Sequence, residues 1–271
     1  MKRVSELYGR YTGETIYVVG SGASLRIFPV EFLRDKITIG LNMAWKWAPV
    51  RYGITIHPDL NVPEFLPEQK RPLSLDPITW VTGYEKCRGG LDPKQLQYAE
   101  ENFYFFSYHG KPNTQPPEEP SDSGRVLDWV ERPSGDNLYV WSSIAQAGVN
   151  LAANMGAREI FLVGCDNGPL SNNHHAGEQH TRWKGVSPEH RYRQYREGLQ
   201  EIRDVLEKRG VTVLSLTPFL GLSSVEQEFE AACLRKGLPP LVKSYDISPK
   251  RGVAGLWARI SSRIGGAVGT H

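Results

Sequence analysis

The stretch TIYVVGSGASL, residues 15–25, is where this sequence first offers chemistry. An apolar run breaking into Gly20-Ser21-Gly22-Ala23-Ser24 reads as a buried strand that ends in a turn suited to glycine. Its backbone N–H groups, with the hydroxyls of Ser21 and Ser24, suit phosphate oxygens; a tight strand–helix turn with no ligand is the alternative. The dinucleotide fingerprint GxGxxG would need glycine where Leu25 stands, and no Gly-Lys-Ser/Thr follows. An NAD enzyme or a P-loop ATPase is therefore disfavoured.

Three later strand ends carry further candidates. Gly40-Leu41-Asn42 places an amide where it can bond a base or ribose, or else cap a helix over 43–47. In His57-Pro58-Asp59 the histidine and the carboxylate either face the same crevice or merely close a strand-end turn. The run IFLVG leads into Cys165-Asp166-Asn167-Gly168, where the Asp166 carboxylate, with Asn167 beside it, could bind ribose hydroxyls, a metal or an acceptor. Next come His174, His175, His180 and His190, four of seven histidines within seventeen positions. Histidine is the side chain best matched to general-base work near neutral pH. Their spacing fits neither HExxH nor a site shared with a cysteine pair, so no metal centre is expected. Arg182, Lys184, Arg191 and Arg193 add charge useful against a phosphate leaving group, or else form a solvated face.

These residues need a scaffold. Short β-rich runs at 16–19, 37–41, 53–57, 79–82, 103–107, 138–141, 159–164 and 211–216 alternate with helical patterns. Continuous apolar strands separated by helices predict an α/β, Rossmann-like, mostly parallel sheet covered on both faces. Helices are expected over 142–155, closed by Gly156, and over 189–209, stopped by Gly210, with Ser187-Pro188 as the start signal of the second. A nucleotide-binding catalytic domain is read over 1–241, with inserts at 108–136, a lid-like segment, and 167–188. The basic tail 242–271 carries Leu256, Trp257, Ile260 and Ile264 at helical spacing. That tail could dock on the domain, on a partner, or weakly on an anionic membrane surface.

The bulk properties set bounds. With 271 residues, 39% hydrophobic and 23% charged, the chain is an ordinary globular one. A net charge of +2 does not favour nucleic acid as a partner, although Trp183 and Tyr192 sit among clustered arginines. Cys87, Cys165 and Cys233 are too scattered for zinc or a disulfide framework, and Cys165 reads as a buried thiol. No apolar run approaches the ~20 residues of a membrane span, and MKRVSELYGR lacks a signal-peptide core. A cytoplasmic enzyme is the expectation.

VVGSGASL, Asn42, the His-Pro-Asp turn and IFLVGCD together resemble two related groups, in order and spacing of motifs over residues 15–217. One comprises bacterial lipooligosaccharide sialyltransferases that use CMP-sialic acid. The other contains archaeal 6-hydroxymethyl-dihydropterin pyrophosphokinase-like proteins and flagellin-modifying motility accessory factors. The resemblance implies that Gly20, Ser21, Gly22, Ser24 and Asn42 hold the CMP moiety and that Ser142 and Ser143 touch the nucleotide. It implies a base before the long helix, His190 by its spacing to Leu199, with His180 second. The sialyltransferases bind the departing phosphate with loop tyrosines, whereas residues 167–187 contain none, only Trp183, His180 and Arg182. The expectation is a glycosyltransferase moving a sugar from a nucleotide-activated donor, CMP-linked foremost, to a glycan or other hydroxyl acceptor, with no cofactor required. The alternatives are a phosphoryl transferase holding Mg2+ on Asp59 and Asp166, and a non-catalytic nucleotide-binding protein.

Overall fold

A computed structural model describes residues 1–66, 77–108, 127–141, 143–170, 176, 188–220 and 223–235. Eight strands are described: β1 (Lys2–Arg3), β2 (Thr15–Val19), β3 (Ile37–Leu41), β4 (Tyr52–Thr55), β5 (Thr79–Gly83), β6 (Tyr104–Phe106), β7 (Glu159–Val163) and β8 (Thr212–Ser215). They form one sheet in the order β1-β6-β5-β4-β3-β2-β7-β8, every pair parallel. The α/β, Rossmann-like reading holds.

The helices are α1 (Pro58–Asn61), α2 (Tyr84–Gly90), α3 (Pro93–Asn102), α4 (Asp128–Glu131), α5 (Ile144–Asn154), α6 (Pro188–Lys208) and α7 (Ser223–Arg235). Successive strand residues point to opposite faces, and both faces of β2 are covered. On one side α5 comes so close that a Cβ on Gly148 would lie 2.7 Å from Leu41 and 3.2 Å from Val18. On the other side Tyr17 stacks against Phe161 of β7 and against Phe32, at 5.3 and 5.7 Å between ring centroids. Gly156 and Gly210 end their helices at φ +97° and +75°, the left-handed geometry that glycine adopts without strain.

Several expectations change. Residues 138–141 are not a strand; Ser107 and Asn137 make only an isolated bridge. The reason lies in α5, where Asn150 accepts from Tyr139 N–H and Gln146 from Trp141 N–H, both at 2.9 Å. Side-chain amides of a buried helix thus replace a neighbouring strand as partners for this segment. The strand expected at 53–57 stops at Thr55, because the chain turns into α1 with Pro58 at its first position. α4 falls inside the expected insert 108–136, of which 109–126 lie outside the described residues, as do most of 167–187 and the whole tail 242–271.

Elements unforeseen in the sequence include β1, α2, α3 and α7. α3 carries a readable start: Asp92 accepts from Lys94 and Gln95 N–H at 2.9 Å, Gln95 bonds back to Asp92, and Pro93 opens the helix. Cys87 and Cys165 are buried and in no disulfide, and burial pushes the Cys165 thiol up to about 12. No described helix is long and apolar enough to cross a membrane.

Asn150→Leu should preserve helix propensity yet orphan the buried Tyr139 N–H, at a cost of about 1–3 kcal/mol. For a domain of this size that is a loss of several degrees in Tm by circular dichroism, on the order of 2–4 °C per kcal/mol. An unchanged Tm would show that segment 138–141 does not depend on α5 for its hydrogen bonds.

Candidate functional site

Chain direction across the sheet reverses beside β2. From β2 the strands run outward through β3, β4, β5 and β6, and the chain then returns to place β7 and β8 on the opposite side. Open α/β sheets bind ligands outside the carboxyl ends of the strands at such a switch point. The strand ends that meet there carry Gly20–Ser24, Asn42, Thr55–Asp59 and Gly164–Gly168. α5 adds its N-terminus, where Ser143 accepts from Ala145 N–H at 3.1 Å as the helix cap.

Gly20 and Gly22 are needed for closeness rather than for unusual φ. Gly20 N–H donates to Val163 and Gly22 N–H to Gly164, each at 2.8 Å. A Cβ would lie 2.4 Å from the Gly164 carbonyl oxygen at position 20 and 2.5 Å at position 22. Ser24 N–H donates to one oxygen of Asp166 at 2.9 Å, and the Ser24 hydroxyl donates to the other. Both residues are buried, Ser24 at 0% and Asp166 at 3% exposure.

This geometry corrects two readings of the sequence. The Gly20, Gly22 and Ser24 N–H groups are engaged within the protein, so the loop is a rigid platform rather than an open phosphate cradle. Ser24 and Asp166 bond one another in the interior, whereas Ser21 is half-buried. Ser21 itself is anchored through its carbonyl, which accepts from Ala176 N–H at 2.9 Å.

Desolvation raises the Asp166 carboxyl from 3.8 to about 6, against the opposing effect of the hydrogen bonds from Ser24 and Ala23. Asn167, at φ +56°, turns its amide back to the Cys165 carbonyl at 2.5 Å, while its own carbonyl accepts from Arg196 at 3.2 Å. The Asn167 amide is thereby turned inward rather than offered to a ligand. Thr217, which the sequence did not flag, accepts from Gly164 N–H at 2.9 Å and fixes the end of β7.

At the neighbouring strand ends, Asn42 is the first residue of a short 3-10 turn and adopts φ +50°. It does not cap that turn; its Oδ1 accepts from the Thr55 hydroxyl at 2.9 Å. Thr55 and Asn61, also unflagged, are both buried beneath it. His57 and Asp59 flank the start of α1, with the His57 imidazole lowered by partial burial and by Lys86, against the pull of Asp59.

On the other side, α6 brings His190, whose Nδ1 lies 3.2 Å from Arg193. Arg193 is exposed and pairs loosely with Glu197 at 3.8 Å. Arg191 differs, being only 7% exposed, with Gln194 at 3.4 Å and no carboxylate partner among the described residues. Arg191, Gln194 and Gly198 share one face of α6, and the latter two abut Gln146 of α5. Because α6 leads into β8, its N-terminus lies at the carboxyl edge, and Arg191 sits one turn nearer that edge than Gln146. Ser142, His180, Arg182 and Lys184 lie outside the described residues. Among the described residues no three His, Cys, Asp or Glu side chains converge as a metal site would require.

No family model matches the chain, and no curated protein matches it significantly. Among solved structures it is similar to one described as MAf glycosyltransferase from Magnetospirillum magneticum AMB-1, at TM-score 0.48 and 13% identity. That match covers 97% of this chain but 41% of that one, and it bears on neither substrate nor mechanism.

A raised carboxyl means that the folded state takes up a proton before the unfolded chain does. Stability contributed by neutral Asp166 is full below pH ~4 and is lost as pH rises through about 6. The Tm of the wild type relative to Asp166→Asn should therefore fall across pH 4–6 and level off above. A constant difference would mean that Asp166 titrates as an ordinary surface carboxylate.

Proposed function

We propose that this protein is a glycosyltransferase that takes a sugar from a nucleotide-activated donor, CMP-linked foremost, and passes it to an acceptor hydroxyl. The observation carrying this reading over metal-dependent phosphoryl transfer is the engagement of Asp166. A Mg2+ site would draw on Asp59 and Asp166, yet both Asp166 oxygens already accept from Ser24 in a buried setting. Hard cations need such oxygens available. A buried guanidinium at Arg191, lacking a carboxylate partner among the described residues, further suits an anionic ligand.

In this scheme the donor lies across the carboxyl edge of β2 and β7, against Ser21 and Gly22, with its nucleoside toward Asn42. The acceptor oxygen attacks the anomeric carbon as the bond from that carbon to the phosphate oxygen breaks. The acceptor's proton passes to a histidine, His190 first and His180 second, help worth roughly 10²–10⁴-fold. Negative charge gathers on the departing nucleoside phosphate, where Arg191 stabilises it without a metal. Ser143, at the head of α5, contributes a hydroxyl at the same edge.

A thermal-shift panel of CMP, CDP, UDP, GDP, ATP and NAD, each with and without Mg2+, tests the reading. CMP at a hundredfold excess over its Kd should stabilise the protein by roughly 2.7 kcal/mol, independently of metal. Arg191→Met should weaken CMP binding by about tenfold or more, as loss of a charge-assisted hydrogen bond requires. A shift confined to ATP with Mg2+ would point instead to phosphoryl transfer.

A further inference from the structure

Where α5 and α6 pack together near their N-termini, they meet in a polar seam whose donors and acceptors can be matched one by one. Gln146, fully buried in α5, turns its oxygen to the N–H groups of Trp141 and Ser143 at 2.9 and 3.3 Å. Its amide nitrogen donates the other way, to the Gln194 carbonyl of α6 at 3.5 Å. Gly198 permits this approach, because a Cβ there would collide with Gln146 Nε2. Gln194 is oriented by an equally strict partner. The Arg191 guanidinium only donates, so the atom 3.4 Å from its Nη1 must be the Gln194 oxygen. That leaves Gln194 Nε2, in a residue 1% exposed, without a hydrogen-bond partner among the described residues.

A buried donor left unpaired lowers stability, and protein interiors seldom retain one. Beside it stands a second unmet demand. Arg191, itself buried, has only its long bond to Gln194 among the described residues. Both groups call for an acceptor, while Gln146 presents a nitrogen to the seam and so supplies none. The positive ends of two helices add to the same potential, since α5 and α6 lead into β7 and β8 and both start at the carboxyl edge of the sheet. An oxygen that only accepts and carries negative charge answers every one of these groups.

We propose that Gln194 is a ligand-binding residue: its Nε2 and the Arg191 guanidinium donate to one phosphate group seated in the seam between the heads of α5 and α6. Gln146 and Gly198 fix the spacing of the two helices around it. The inference rests on the nucleotide reading for which phosphate this is, that of CMP. The demand for an anionic acceptor rests on the count of donors alone.

Gln194→Met keeps the length and apolar stem of the side chain and removes the amide. Because it also removes a buried donor that has no partner, Tm of the ligand-free protein should fall by no more than about 2 °C. Affinity for CMP by calorimetry should drop about tenfold, with inorganic phosphate weakened likewise in thermal shift and cytidine unchanged. Gln194→Asn, whose amide is one methylene short, keeps a polar side chain in the seam and should show the same loss. Arg191→Met tells direct contact from mere support of the arginine. In that background Gln194→Met should weaken CMP several-fold further, since a bond from the amide to the phosphate survives loss of the guanidinium. An effect of Gln194→Met that vanishes without Arg191 would overturn the contact. So would equal weakening of cytidine and CMP, or wild-type CMP affinity in both Gln194 variants. A wild type that binds inorganic phosphate but not CMP, with phosphate weakened in Gln194→Met, would sink the nucleotide reading and keep the site. A wild type that binds neither overturns both.

Discussion

At the switch point of the sheet, a backbone without side chains meets the end of β7 at a distance no other residue could accept. Gly20 and Gly22 lie against the Gly164 carbonyl, their N–H groups paired to β7, and Asp166 closes the arrangement by bonding Ser24 from below. Gly164, at φ +66°, turns the β7 strand end so that Cys165 and Asp166 can pass under the loop. Overpacking at such a junction costs on the order of 1–3 kcal/mol because backbone cannot step aside as a side chain can. The positions of β2, β7 and everything at their carboxyl ends follow from this contact.

The same junction decides what the crevice can offer. Groups that look reactive in isolation, the Ser24 hydroxyl and the Asp166 carboxylate, satisfy one another in the interior, where unpaired polar groups are costly. The neighbouring strand ends are supported likewise: Thr55 and Asn61 hold Asn42, Thr217 holds Gly164, and Gln146 and Asn150 hold the segment that enters α5. Buried side-chain amides and hydroxyls thus orient Asn42, through Thr55, and Arg191, through Gln194. Support of this kind keeps rotamers fixed before a ligand arrives, which reduces the cost of binding.

Much of the fold was legible because its cause is local. Apolar runs of strand length marked seven of the eight strands, and helical spacing with terminal glycines marked α5 and α6. β1, two residues long, is too short to carry a pattern. Residues 138–141 misled because Leu138-Tyr139-Val140-Trp141 has strand composition, whereas hydrogen-bond partners decide strand identity and here they are amides from α5. α3 went unforeseen although Asp92 and Gln95 form a capping box at its start, because such a box is a weaker signal than an apolar stripe.

For the site, the sequence by itself determined which segments stand at the carboxyl ends of strands, because a strand's end is written where its apolar run stops. It placed the glycine loop, Asn42, the His-Pro-Asp turn and Asp166 on that edge. Only the tertiary structure decided which way each of them faces. The Asp166–Ser24 pair spans 142 residues and the Asn42–Thr55 pair joins two strands, so no local pattern reveals whether a polar group is already satisfied. Among the arginines before and within α6, the sequence could not single out Arg191, since its burial depends on α5 lying alongside. Residue type sets what a side chain can do; contacts distant in sequence set what remains for it to do.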